Sequence, residues 1–388
     1  MSEWKEHKFS AFVEINPTVR FNGEERYSFV EMKDLQDGNK FCLPSAERKP
    51  VSGARFENND TLFAKITPCL ENGKICQVKG LKNGIGFGST EFFVFRGKKD
   101  ISDNDFVFYL SRWDEVRNFA ESNFEGTSGR QRVPKSCFDN LLLELPDYKE
   151  QTAIAEILSS LDDKIDLLHR QNKTFEQLAE TLFRQWFVVE ADESWETVKV
   201  SDVASINKSS IGKNYSFEEI EYLDTGSITN GQIESFQKYL LKDAPSRAQR
   251  LVDENDIVYS LVRPIQRHFG LLQEVKPNTV VSTGFCVISC DKISPYFIYI
   301  LLTQNETVEY LDMVAEGSTS AYPSLKPSDI AGFEFQLPPK SKLDEFTEIA
   351  ETNWNKIKSN TNQIQSLTKL RETLLPKLMS GEVRLKIN

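Results

Sequence analysis

The chain has 388 residues, 39% of them apolar and 27% charged, with a formal net charge of −11. That length has room for two domains with connectors and real cores, and the net acidity argues against a free-standing nucleic-acid binder held by bulk phosphate attraction. The six cysteines (Cys42, Cys69, Cys76, Cys137, Cys286 and Cys290) form no Cys-x-x-Cys pair and are joined by only three histidines, so no zinc site is expected and unpaired thiols point to a reducing cytoplasm.

No apolar run approaches membrane-spanning length, and the charged start lacks a signal-peptide core, so neither a membrane segment nor a leader is expected. The charge is uneven. Residues 1–146 carry 21 Lys/Arg against 22 Asp/Glu, whereas residues 191–337 carry 12 against 21. Any nucleic-acid contact must therefore come from local basic clusters.

Residues 1–146 read as a mixed α/β unit. Phe92–Phe95 and Leu141–Leu145 have the apolar runs of short buried strands. Asp105 to Ser122 reads as one helix, with Phe106, Tyr109, Leu110, Trp113, Val116 and Phe119 along one side. Gly84-Ile-Gly-Phe-Gly88 superficially matches a nucleotide-binding loop, but the pattern is incomplete and no helix clearly follows, so turn chemistry is the expectation. A loop, Glu125 to Pro134, precedes the last strand.

Residues 147–190 read as a long helix. Ile154, Leu158, Leu161, Ile165, Leu168, Phe175, Leu178 and Leu182 recur in alternating steps of four and three, broken only where Asn172 occupies one slot, the narrow seam of a coiled coil. Such a seam cannot be buried by one helix. Residues 338–380 supply a second, with Phe346, Ala350, Ile357, Ile364, Leu367, Leu374 and Leu378 in the same alternation and Asn353 and Asn360 in two seam slots. A polar residue in a seam tends to fix register. Residues 381–388 form a tail.

The chain repeats itself. Leu145-Pro146 precedes the first helix and Leu337-Pro338 the second. Trp4 to Asn16 matches Trp195 to Asn207, with Trp, Lys, Ser and Ile-Asn at one offset. Thr61 to Pro68 resembles Ile257 to Pro264, and Gly126-Thr-Ser resembles Gly317-Ser-Thr. Residues 191–337 thus form a second α/β unit, with strands in Val280–Ile288, a helix from Ser294 to Leu302 onward, and a loop from Glu316 to Lys326. The plan is unit, helix, unit, helix, an α+β fold of two mixed α/β units arranged as a pseudo-repeat.

No catalytic constellation stands out. There is no Gly-x-x-x-x-Gly-Lys-Ser/Thr phosphate loop. Pro338-Pro339 is followed by Lys340, so the Pro-Pro-aromatic signature of amino-methyltransferases is missing. Asp60 with Glu71 and Lys74 only faintly resembles a metal-nuclease set. His7 lies near the terminus, His169 on the long helix, and His268 alone in a candidate binding loop.

The two-fold repeat, the Leu-Pro helix entries, Glu150-Gln-Thr-Ala-Ile-Ala-Glu-Ile-Leu, Leu161-Asp-Asp-Lys-Ile-Asp, Leu182-Phe-Arg-Gln-Trp-Phe187 and Leu374-Leu-Pro-Lys-Leu-Met-Ser-Gly-Glu-Val383 together resemble the specificity (S) subunit of type I restriction–modification systems. The resemblance covers nearly the whole chain. It departs from symmetry where the second helix has Lys342-Leu343 in place of Glu150-Gln151.

The resemblance implies two target-recognition domains (1–146 and 191–337) separated by an antiparallel coiled coil. Each domain reads one half of a bipartite, asymmetric site on double-stranded DNA. It implies two methyltransferase (M) subunits as partners, restriction (R) subunits joining through them, and no catalysis on this chain. S-adenosylmethionine, ATP and Mg²⁺ belong to those partners, and the setting is cytoplasmic. The competing readings are a coiled-coil adaptor for protein targets and a compact nuclease.

About 30 helical residues at roughly 1.5 Å each span on the order of 45 Å, against about 34–36 Å per turn of B-DNA, so the helices are expected to set the gap between half-sites. Base reading needs fixed donor and acceptor patterns: Arg or Lys for guanine, Asn or Gln for adenine. By loop placement, residue type and repeat equivalence, the DNA-binding candidates of the first unit are Lys65, Thr67, Asn72, Lys74, Arg130, Gln131 and Arg132. Those of the second are Ser260, Arg263, Gln266, Arg267, Ser318, Thr319, Ser320 and Tyr322.

Overall fold

The computed structural model describes residues 3–127, 129–318 and 322–385. They divide between two units, one holding the chain up to Arg170 together with the segment from Asn360 onward, the other spanning Gln171–Ser359. Both long helices begin in one unit and end in the other.

In the first unit a five-stranded sheet has the order Val13–Ile15, Phe92–Gly97, Thr61–Ala64, Ile75–Val78, Phe41–Cys42. A four-stranded sheet has the order Ala46–Arg48, Tyr27–Val30, Ile85–Gly88, Ala54–Glu57. The second unit repeats both. One sheet runs Ser205–Ile206, Phe285–Ser289, Ile257–Ser260, Phe269–Leu271, and the other Gln237–Leu240, Glu219–Leu223, Thr279–Ser282, Ala248–Leu251. In each unit the two middle strands of the second sheet pair in parallel.

The recurring Ile-Asn has a local cause. Asn16 and Asn207 both sit at positive φ, 58° and 51°, a region asparagine tolerates better than most residues. Each donates its N–H to the neighbouring strand (to Val94 O at 2.7 Å, to Val287 O at 2.8 Å). Each side-chain carbonyl accepts that same residue's N–H, at 3.0 Å in both units. The asparagine thus closes both hydrogen-bonding groups where the strand ends.

Two expectations need correction. The segment Asp105 to Ser122 is not one helix: Asn104–Arg112 and Asp114–Ser122 are separated by Trp113 in an extended conformation. The second unit breaks at the equivalent place, with Gln304 between Pro295–Thr303 and Asn305–Glu316. The break lets Val116 and Ala120 reach the core that Phe106 and Leu110 already fill.

The glycines from 84 to 88 are also not merely a turn. Gly84 has φ +76°, but Gly86 and Gly88 lie inside the strand Ile85–Gly88. A Cβ on Gly88 would stand 2.5 Å from the Val30 carbonyl oxygen, and one on Gly86 would stand 2.8 Å from Leu81 Cδ2. The neighbour at Gly88 is backbone of the paired strand and cannot rotate away. Gly88→Ala is therefore expected to cost about 1–3 kcal/mol, read as a lower urea midpoint; an unchanged midpoint would refute the close approach.

The first long helix runs Tyr148–Arg184 and continues as a π turn over Gln185–Val189; the second runs Lys340–Met379. Within the first unit Glu150 meets Arg384, and Asp162 meets Arg371. Within the second, the Phe175 carbonyl meets Asn353, and Glu190 meets Lys342. Rising numbers on one helix face falling numbers on the other, so the pairing is antiparallel in each unit.

The seam is buried at Ile154, Leu158, Ile165 and Leu168, but Leu178 is 45% exposed. Its place is taken by Ala179 and Phe183, both buried in the second unit's core beside Phe346, Ala350 and Trp354. There the helix faces the globular layer as well as its partner helix, so the buried stripe moves one residue round.

The Glu150-Gln151 pair is structural. Glu150 is 2% exposed, gripped by Arg384 at 2.7 Å through both Nε and Nη2, and it accepts from Trp4 Nε1 at 3.2 Å. Gln151, also buried, accepts from the Asp103 N–H and donates to the carbonyls of Ile101 and Pro146. Buried polar groups satisfied in this way fix how the helix docks. In the second unit Lys342 instead lies 5.7 Å over the Trp195 ring.

Candidate nucleic-acid interface

The strands Thr61–Ala64 and Ile257–Ser260 each run out of the sheet into a loop, and each loop is met by a second segment in the same register. In the first unit Thr67 N–H donates to Gln131 O (3.0 Å) and Val133 N–H to Lys65 O (2.8 Å). In the second, Arg263 N–H donates to Pro323 O (3.0 Å) and Leu325 N–H to Leu261 O (2.7 Å). Behind them Lys65 N–H reaches Glu91 O and Leu261 N–H reaches Gly284 O. Single bridges, Ile66 to Arg132 and Val262 to Ser324, complete the match. Two sequence-distant loops are thus zipped into one platform in each unit. Thr67 holds the position of Arg263, and Arg130 that of Tyr322.

The side chains differ. In the first unit, the Thr67 hydroxyl is nearly buried and accepts the Gln131 N–H at 3.0 Å, which shapes the platform. Lys65 places its ammonium 5.4 Å from the Phe93 ring centroid. Arg132 forks onto Glu91, with Nε to Oε2 at 2.9 Å and Nη2 to Oε1 at 2.8 Å. The hydrogen bond to Arg132 holds the Glu91 carboxyl below the usual carboxylate range. Arg130 is exposed, and its guanidinium has no partner among the described residues. Asn72 is exposed on the turn after Pro68. Lys74 stands apart, its ammonium donating to Met32 O at 2.9 Å.

In the second unit, Ser260 is 2% exposed and its hydroxyl accepts the Val262 N–H at 3.2 Å. Arg263 lies against the Tyr322 ring, its Cζ 4.9 Å from the centroid. Gln266 is exposed on the short turn Pro264–Gln266. Arg267 donates through Nη2 to Asn305 Oδ1 at 2.6 Å. Ser318 is half-buried, 3.4 Å from the Ser324 hydroxyl. Thr319 and Ser320 lie outside the described residues. His268 faces inward, Nδ1 2.6 Å from Ile228 O.

Glu91, Asn305 and Asp312 were missed by sequence reasoning. Asp312 accepts the Ile265 N–H at 3.2 Å. All three are acidic or amide groups that fix an arginine or a turn from another element. Only spatial proximity marks them, and none lies near its partner in sequence.

The nuclease set is not assembled. Asp60 is held by Arg96 at 2.6 and 2.7 Å, Lys74 is engaged by Met32, and Glu71 is exposed. Among the described residues no group of three or more His, Cys, Asp or Glu could hold a metal ion, and no helix is long and apolar enough to cross a membrane.

A family model described as the type I restriction modification DNA specificity domain matches residues 1–177 and 192–370. The type I restriction enzyme HindI specificity subunit of Haemophilus influenzae is 23% identical, over 99% of this chain and 100% of that protein. The EcoAI specificity subunit of Escherichia coli is 32% identical over 188 residues, 46% of this chain and 32% of that subunit. That alignment therefore spans about a third of the relative. The crystal structure of a type-I restriction-modification system S subunit from M. genitalium covers 99% of this chain and 97% of its own, with a TM-score of 0.58 at 13% identity. At that identity the likeness shows a shared fold.

Proposed function

The chain belongs to the type I restriction modification DNA specificity family, and on that premise we propose that it is the sequence-reading subunit of a type I restriction–modification complex. One observation carries the reading: the same two-loop platform, in the same backbone register, occurs once per unit with different side chains on it. A shared scaffold with divergent polar loops is what two readers of unlike sequences need, because backbone fixes placement and side chains fix base choice.

Each unit reads one half of a bipartite, asymmetric site, and the paired helices set the unread gap. Two methyltransferase subunits bind the chain, and restriction subunits join through them in the cytoplasm. S-adenosylmethionine, ATP and Mg²⁺ act on those partners, and this chain performs no chemistry. The acidic balance fits such a division, since partners can supply the salt-dependent phosphate attraction.

The test is to co-express the chain with its cognate methyltransferase and map methylated adenines genome-wide. A bipartite motif with one fixed gap should arise with the chain and vanish without it. Methylation at the same motif in its absence would overturn the proposal.

A further inference from the structure

We propose that Arg263, presented by a strained turn and held over the Tyr322 ring, reads a guanine in the half-site of the second unit. The inference rests on the DNA-reading function above and assigns one contact within it.

Strain marks the turn first. Nine non-glycine residues among those described have positive φ; seven are Asn or Asp, and the other two are Arg263 (φ 48°) and Arg267 (φ 58°). Asn and Asp tolerate this region through short side chains that bond locally, whereas arginine has no such compensation. Both arginines bracket Pro264–Gln266. The surroundings hold the conformation: Arg263 N–H donates to Pro323 O (3.0 Å), Asn230 N–H to Arg267 O (2.8 Å), and Ile265 N–H to Asp312 (3.2 Å). Strain kept in place by its neighbours is a mark of functional segments.

The guanidinium itself comes second. Arg132 in the first unit is forked onto Glu91, and Arg267 is bonded to Asn305. Arg263 has neither: it is exposed and makes no hydrogen bond or ion pair through its side chain among the described residues. Its contact is the face of Tyr322, which is 60% exposed. A guanidinium held over a ring face is attracted by the ring itself and leaves its N–H donors unspent on protein acceptors. A planar fork held so matches guanine O6 and N7 in the major groove. The turn and the ring thus fix a reading group before DNA arrives, which lowers the ordering cost of binding.

The variant Arg263→Gly tests this with little risk to the fold, because glycine adopts positive φ without strain. In the complete complex with its methyltransferase, the wild-type motif should show a fixed guanine in the second half-site. Arg263→Gly should relax that one position, with discrimination falling by about 5- to 100-fold, and leave the first half-site as it was. Tyr322→Leu, which removes the platform but not the fork, should relax the same position by less.

An unchanged motif overturns the assignment. So does uniform weakening on all sequences, which identifies a phosphate contact, and so does relaxation in the first half-site. If the wild-type complex methylates no bipartite motif, the parent reading fails and this one with it. A wild-type motif that Arg263→Gly leaves untouched sinks this assignment alone.

Discussion

Replacing Arg371 with alanine is expected to destabilise the first unit by about 3–5 kcal/mol. Arg371 is 5% exposed, and its Nη1 lies 2.6 Å from Asp162 Oδ1 and 2.6 Å from Gly38 O. The other Asp162 oxygen accepts the buried Tyr109 hydroxyl at 2.6 Å. Removing the guanidinium leaves a carboxylate 4% exposed with one phenol for company, and an uncompensated buried charge is expensive. It also frees the loop at Gly38, which Arg112 holds as well through Asn39 O and Asp37. Hydrogen exchange over Tyr148–Leu168 and urea unfolding would report the loss. Unchanged protection there would show that the pair contributes nothing.

The second unit indicates what the first could do without. Counted from the Leu-Pro that precedes each helix, Asp162 corresponds to Trp354 and Arg371 to Ala179. Both are buried, and Trp354 lies 5.3 Å from the Tyr296 ring and 6.0 Å from Tyr299. One unit fills the place with an ion pair and the other with a large ring beside a small residue. Apolar replacement of both partners of a buried pair is often neutral or stabilising. The double variant Asp162→Leu with Arg371→Met should therefore recover most of the stability that Arg371→Ala loses.

The parts of the fold legible in the sequence were those set by local rules. The repeat showed in Trp4 and Trp195, in the Leu-Pro entries and in Ile-Asn, each of which marks a fixed backbone event. The long helices showed in their seams, since heptad spacing needs no tertiary knowledge. What stayed hidden depends on neighbours. Trp113 and Gln304 break their helices with neither Pro nor Gly there, because the core needs the second segment turned. Ala179 and Phe183 replace Leu178 in the buried stripe because the helix there faces the globular layer as well as its partner helix.

The candidate site was legible as loops rich in donors and not as geometry. Residue type marked both Arg132 and Arg263, and the cluster of Arg130, Gln131 and Arg132 favoured the first. Glu91, which engages one of them, and Tyr322, which supports the other, become distinguishable only when the strands bring them together. The positive φ of Arg263 has no sequence signature at all.

The largest functional change is expected from lengthening the helices. One heptad inserted after Arg170 and another after Ser359 adds about 10 Å of helix. Seven residues are two turns of a supercoiled helix, so apolar positions on either side of each insertion keep their phase. If helix length sets the gap, the original bipartite site should lose most of its methylation, and a site with a gap longer by about three base pairs should replace it, at about 3.4 Å of rise each. A three-residue insertion in both helices is the control. It adds under half the length but turns the downstream seam out of phase, so it should lower stability and methylation without creating a new gap. Methylation mapping reads all three chains. If the heptad variant keeps the wild-type gap at wild-type frequency, the helices hold the readers without measuring the distance between their targets.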